Sequence, residues 1–158
     1  MIVWWVYGSF SLTTCEGRVG YEVQVVDADG VEKVKGAFDK IQRTNLVAWG
    51  SNRVKRKLCS TTAAELMALV GAVKAVPAYI SLIESLWGVK PKVIYLTDSQ
   101  GALGWLRKRK AEKDPAMQGY VELVCERIEE TGAEIYWVDT KSQRADRQTK
   151  FIAERQRV

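Results

Sequence analysis

Histidine is absent from this chain. That excludes the histidine-based acid–base pairs used by many hydrolases and argues against a zinc site. Cysteine is scarce. Cys15, Cys59 and Cys125 form an odd set with no motif spacing, and they read as buried thiols of a cytosolic or nuclear domain, not as a disulfide framework. A basic leader is missing too. The apolar start, MIVWWVYG, is too short for a signal peptide or a membrane span and reads as a strand. There are no internal repeats and no low-complexity segments.

What is present points to a folded domain. A chain of 158 residues with 47% hydrophobic and 27% charged residues can bury a sizeable core. A single domain over residues 1–158 suffices, because no linker interrupts the pattern. The net charge of +5 permits an anionic partner without requiring one, since a solvated basic surface explains it equally well.

Hydrophobic periodicity predicts the order βββ-α-β-α-α-β-α. Ile2–Val6 is a β-branched and aromatic run. Gly20–Val26 alternates, with Tyr21, Val23 and Val25 on one face and Glu22 and Gln24 on the other. Residues 27–30, DADG, supply a turn, and Asn45–Trp49 reads as a third strand. A long helix is expected from Thr62 to about Trp87, capped by Ser60, Thr61 or Thr62, with a kink or break at Pro77. The short, continuously apolar run Val93–Leu96 suits an interior parallel strand. Two more helices follow, from Ser99 and from Asp114–Pro115. Ala133–Val138 then reads as a strand, and Ser142 begins a last helix through about Gln156. A mixed α/β sheet with helices on both faces is the natural packing.

Three acids stand in suggestive places. Glu65 lies early in the long helix, at the border of its apolar stripe. It is either a capping-box acid or a carboxylate facing the sheet. Asp98 follows the interior strand. It is either an N-cap or a group at the strand end where open α/β sheets place active groups. Asp146, flanked by Arg144 and Arg147, reads by itself as an ordinary first-turn acid. If all three meet, their repulsion needs cations to offset it. Mg²⁺, or Mn²⁺ in its place, suits such oxygen ligands, and a pair of ions would support in-line hydrolysis of a phosphodiester. Arg53, Lys55, Lys141 and Arg144 could hold phosphates of a duplex, while Ser51, Asn52, Ser99 and Gln100 could bond its sugar edge. Solvated surface side chains are the alternative for each.

Three segments together resemble a known family: WGSNRVKRKLCSTTAAELMAL at 49–69, YLTDSQGALGWL at 95–106 and ETGAEIYWVDTKSQRADRQTK at 130–150. They are similar to the ribonuclease H domain at the end of copia-type LTR retrotransposon polyproteins. The resemblance implies a five-stranded mixed sheet whose first three strands are antiparallel. It implies Glu65, Asp98 and Asp146 as catalytic and metal-binding acids, with Thr140 and Gln143 in the last motif. It further implies two-metal cleavage of the RNA strand of an RNA–DNA hybrid beside a reverse transcriptase, in the cytoplasm, the nucleus or virus-like particles, with no membrane partner.

The first strand departs from that family. An aspartate is expected in a segment like YxDAS or TDGS, and alignment on Gly8, Ser9 and Phe10 puts Tyr7 there. A phenol, neutral at pH 7, is a poor Mg²⁺ ligand. The expectations are then an inactive domain that binds nucleic acid or scaffolds a polymerase, substitution by Glu16, Asp27 or Asp139, or weak activity through one metal.

Overall fold

The computed structural model describes residues 1–26 and 44–139. Five strands form one sheet: β1 (Ile2–Ser11), β2 (Glu16–Val26), β3 (Thr44–Arg53), β4 (Val93–Thr97) and β5 (Glu134–Trp137). Their order is β3-β2-β1-β4-β5. β2 pairs antiparallel with both β1 and β3, while β4 runs parallel to β1 and β5 parallel to β4. The helices α1 (Thr61–Trp87), α2 (Gln100–Lys108) and α3 (Gln118–Thr131) fill the crossovers, with a 3₁₀ turn at Pro115–Met117 before α3. The predicted strand and helix order holds through β5. The turn at 27–30 and the helix expected from Ser142 lie outside the described residues.

The pleat of β1 divides the core. Ile2, Trp4 and Val6 face the helices and join Leu66, Leu69, Val73, Val76, Tyr95, Trp105 and Val124 in the larger cluster. Val3 and Trp5 face the other way, with Val26, Ile94, Leu96 and Val138. Both faces of β1 and β4 are buried, as the near-continuous apolar runs predicted. β2 keeps Val23 and Val25 on the helix side. Its opposite face is not solvent, for Gln24 is only 1% exposed. Gln24 accepts a bond from the Trp5 indole at 3.3 Å and donates one to Glu22 at 2.6 Å.

Three local expectations need correction. β1 does not stop at Val6: its second half pairs with β2 as far as Ser11↔Glu16, and cross-strand bonding carries the strand through the polar GSFS stretch. The turn at Leu12–Cys15 closes with Cys15 in the left-handed region, φ 54°. Secondly, of the kink or break expected at Pro77, the break does not occur, for α1 is one helix from Thr61 to Trp87. A helix-interior proline costs ~3 kcal/mol. Val76, Ile80 and Ile83 are all buried around and beyond it, and each contributes ~1.5–3 kcal/mol on burial, so packing outweighs the lost bond. Thirdly, only Cys125 is a buried thiol, because Cys15 and Cys59 sit in a turn and a connection and are exposed.

α1 is long and apolar enough, by length and composition, to cross a bilayer. Its apolar stripe is taken up by the sheet instead.

Tyr95 on β4 is fully buried, and its hydroxyl has no hydrogen-bond partner among the described residues. Burial pushes the phenol's pKa upward. An unsatisfied buried hydroxyl costs ~1–3 kcal/mol. Tyr95→Phe is therefore expected to leave stability unchanged or raise it by ~1 kcal/mol, measured by urea unfolding at constant slope. A loss above that amount would show the hydroxyl to be satisfied.

Candidate active site at the end of the central strand

The site begins where β1 outruns its parallel neighbour. The last paired residues of β1 and β4 are Trp5 and Leu96, and β4 ends at Thr97. Gly8 lies beyond that point. Its N–H donates to Glu65 Oε2 at 2.8 Å in a buried bond. A side chain at position 8 could not be accommodated, because a Cβ there would lie 2.4 Å from the Ala64 carbonyl carbon and 2.5 Å from the Glu65 nitrogen. Strand and helix backbones meet at a residue with no side chain, and the contact sets Glu65 against the strand end. Glu65 is 5% exposed. A carboxylate that deep needs hydrogen bonds or a cation to offset desolvation.

The capping alternative for Glu65 does not apply. Ser60 is the N-cap of α1, and its Oγ accepts from Ala63 N at 3.1 Å. Glu65 is two residues past the position from which a capping-box acid reaches back. Asp98 is likewise not the cap of α2. Ser99 has that place, its Oγ accepting from Ala102 N at 3.0 Å. In both helices a serine satisfies the first orphan donors, and neither acid is held by helix capping.

Asp98 is fixed through its backbone. Its carbonyl accepts from Trp137 Nε1 at 3.1 Å, and Thr97 Oγ1 accepts from Ser99 N at 3.2 Å. One Asp98 carboxylate oxygen is shielded from solvent. Extending the Trp5↔Leu96 register by two residues sets position 98 beside Tyr7. The first turns of α1 and α2 touch as well, for a Cβ on Gly101 would lie 2.6 Å from Thr62 Oγ1. Glu65 and Asp98 are thus carried to one edge of the sheet by β1, β4 and two abutting helix starts. Sequence reasoning passed over Trp137, Thr62 and Gly101. The glycine in TDSQG beside a predicted helix start was the available signal for close packing.

Tyr7 is partly buried and packs on the second cluster, with Val3, Trp5, Leu96 and Val138. Its ring is directed to the sheet face opposite α1. Glu16, one candidate stand-in acid, is ion-paired with Arg53 and lies 3.4 Å from Lys57 Nζ at the hairpin end. Asp139 is exposed, just past β5. Asp27, Asp146, Thr140, Lys141, Gln143 and Arg144 lie outside the described residues.

Among the described residues, no three His, Cys, Asp or Glu side chains gather into a metal-binding group. Glu65 lies against Gly8, and Asp98 lies in register with Tyr7, at the same end of the sheet. Two hard oxygen donors fit a hard divalent cation that keeps several waters. They do not by themselves make a two-ion centre.

Of the proposed duplex contacts, Asn52, Lys55 and Gln100 are exposed. Arg53 is exposed but engaged by Glu16. Ser99's hydroxyl is occupied as a cap, and Ser51 Oγ is buried. Arg56 lies over the Tyr120 ring, 5.3 Å from its centroid, which ties the connection before α1 to α3.

No family model matches this chain, and no curated protein does. Solved structures do match. LC11-RNase H1, from a compost metagenome and solved in complex with an RNA/DNA hybrid, is 14% identical, with a TM-score of 0.66 over 94% of this chain and 93% of that one. The N-terminal RNase H domain of Rv2228c from Mycobacterium tuberculosis is 16% identical, with a TM-score of 0.60 over 98% of this chain and 97% of that one. RNase H1 from the archaeon Halobacterium salinarum is 18% identical, with a TM-score of 0.53 over 95% and 98%. The chain has the ribonuclease H-like α/β fold.

Two glycines of different surroundings test the contact that builds this edge. Gly8→Ala is expected to destabilise by ~2–3 kcal/mol, the cost of forcing a backbone shift in a packed core. Gly71→Ala, whose Cβ would meet nothing within 4 Å, should instead stabilise by ~0.5–1 kcal/mol. Equal effects in urea unfolding would contradict the close approach at Gly8.

Proposed function

We propose that this chain binds RNA–DNA hybrids and hydrolyses their RNA strand, with Glu65, Asp98 and Asp146 as the acids that hold its divalent cation. The observation that carries this reading is the placement of Glu65 and Asp98. Serines cap both helices, and both acids are brought to the end of the central strand. The fold likeness to a structure solved with an RNA/DNA hybrid adds support. The setting supported by the sequence resemblance is a copia-type element, beside a reverse transcriptase.

Mg²⁺ bound there would supply an activated water and stabilise the departing oxygen. The chain's own contribution is placement. The Gly8 N–H holds one Glu65 oxygen and limits how far that carboxylate swings. The Trp137 indole anchors the backbone at Asp98, and the β1–β4 pairing sets its height against Tyr7. Sugar and phosphate contacts of a duplex fall, on this reading, to Asn52, Lys55 and Gln100, whose exposure supports it.

A second reading is a catalytically inactive domain that binds hybrid or scaffolds a polymerase. The packing of Tyr7 onto the apolar second cluster favours it, since a neutral phenol stands where the resemblance calls for an aspartate.

A cleavage assay on a labelled hybrid, with Mg²⁺ and with Mn²⁺, separates the two. The first reading predicts cleavage by the wild type, and a loss of at least ~100-fold in Asp98→Asn, the scale of losing a group that stabilises transition-state charge. An inert wild type that gains cleavage in Tyr7→Asp would establish the second. Cleavage undiminished by Asp98→Asn would remove these acids from the chemistry.

A further inference from the structure

Cys15 and Cys59 are forty-four positions apart in sequence, yet the fold bonds the backbone of Cys15 to that of Leu58, the residue before Cys59. Leu58 N donates to the Cys15 carbonyl at 3.0 Å, and Val54 N donates to the Gly17 carbonyl at 2.8 Å. Lys57 Nζ donates to the Thr14 carbonyl at 2.9 Å. The hairpin turn therefore lies along the connection that leads into α1. Cys59 is one residue beyond Leu58, a Cα step of about 3.8 Å. Leu58 is buried, whereas both cysteines are exposed.

We infer that Cys15 and Cys59 form a dithiol modification site that closes to an intramolecular disulfide when a small-molecule disulfide such as oxidised glutathione is present. A disulfide needs a Cα separation of about 4.4–6.8 Å, and both partners stand in irregular backbone that can adjust. Cys15 is in a turn, in the left-handed region, and Cys59 is in the coil before Ser60. Among the described residues, the Cys15 thiol has one weak contact to give up, 3.9 Å to the Leu12 carbonyl oxygen. Exposed Lys55, Arg56 and Lys57 lie just before Leu58 and Cys59 and attract an anionic oxidant.

The chemistry balances as two thiol–disulfide exchanges. One cysteine thiolate attacks a glutathione sulfur, forming a protein–glutathione disulfide and releasing one glutathione thiol. The second cysteine thiolate attacks the protein sulfur of that mixed disulfide. The Cys15–Cys59 bond forms, and a second glutathione thiol leaves. Two protein thiols are oxidised and one glutathione disulfide is reduced. The bond would fasten the β1–β2 turn to the segment whose Ser60 caps α1. Cys125 is a built-in control. It is buried, donates to the Leu106 carbonyl at 3.6 Å, and burial pushes its thiol pKa up, so it stays reduced.

Intact-mass spectrometry and peptide mapping test this on the dilute full chain treated with oxidised glutathione. The expected product is lighter by two hydrogens, contains a Cys15–Cys59 cross-linked peptide, and melts at a higher temperature until dithiothreitol reverses it. C59S, a surface substitution, should instead carry one glutathione on Cys15 and no cross-link. Stable addition of two glutathiones to the wild type without a cross-link, or a cross-link between molecules only, would overturn the inference.

Discussion

A single backbone amide organises the end of the sheet where Glu65 and Asp98 lie. Gly8 is where β1 continues beyond β4, and its N–H turns to the Glu65 carboxylate across the strand–helix contact. The absence of a Cβ at Gly8 lets the two backbones approach until almost any other residue would clash. Ala63 and Ala64, both fully buried, keep the helix side of the contact equally slim. The result couples fold to chemistry. The approach that seats α1 on the sheet is also what sinks a carboxylate into the strand end.

The helix starts repeat one arrangement on two elements. Ser60 and Ser99 satisfy the first orphan amides of α1 and α2, and an acid close to each serine is thereby left outside the cap. Gly101 brings the two starts together. Glu65, 5% exposed, is costly to bury without hydrogen bonds or a cation to offset its desolvation. Tyr7 is the departure. It exchanges the acid suggested by the resemblance for apolar packing with Val3, Trp5 and Leu96, which strengthens the second cluster and thins the donor set at the strand end.

Much of this was legible from the chain alone. β1, β4 and the stripe Leu66, Leu69, Val70, Val73 and Val76 announced themselves because burial on both faces or on one stripe leaves a direct hydrophobic record. Glu65 and Asp98 could be named but not decided. Cap and site readings predict the same residue types one turn apart, and only the serine hydrogen bonds separate them. The continuity of α1 through Pro77 was hidden because tertiary burial, not local propensity, decides it. The burial of Gln24 was not legible, because alternation separates the two faces of β2 but cannot tell water from a second apolar layer. The exposure of Cys15 and Cys59 escaped because composition says nothing about which loops meet.

The central claim is that Glu65 and Asp98 share one cation-binding edge. Anomalous scattering from Mn²⁺ soaked into crystals of the full chain tests it most directly. The account predicts a peak bonded to an oxygen of each carboxylate, beyond the end of β4. Carboxylates pointing into separate solvent, with any Mn²⁺ bound elsewhere, would contradict it.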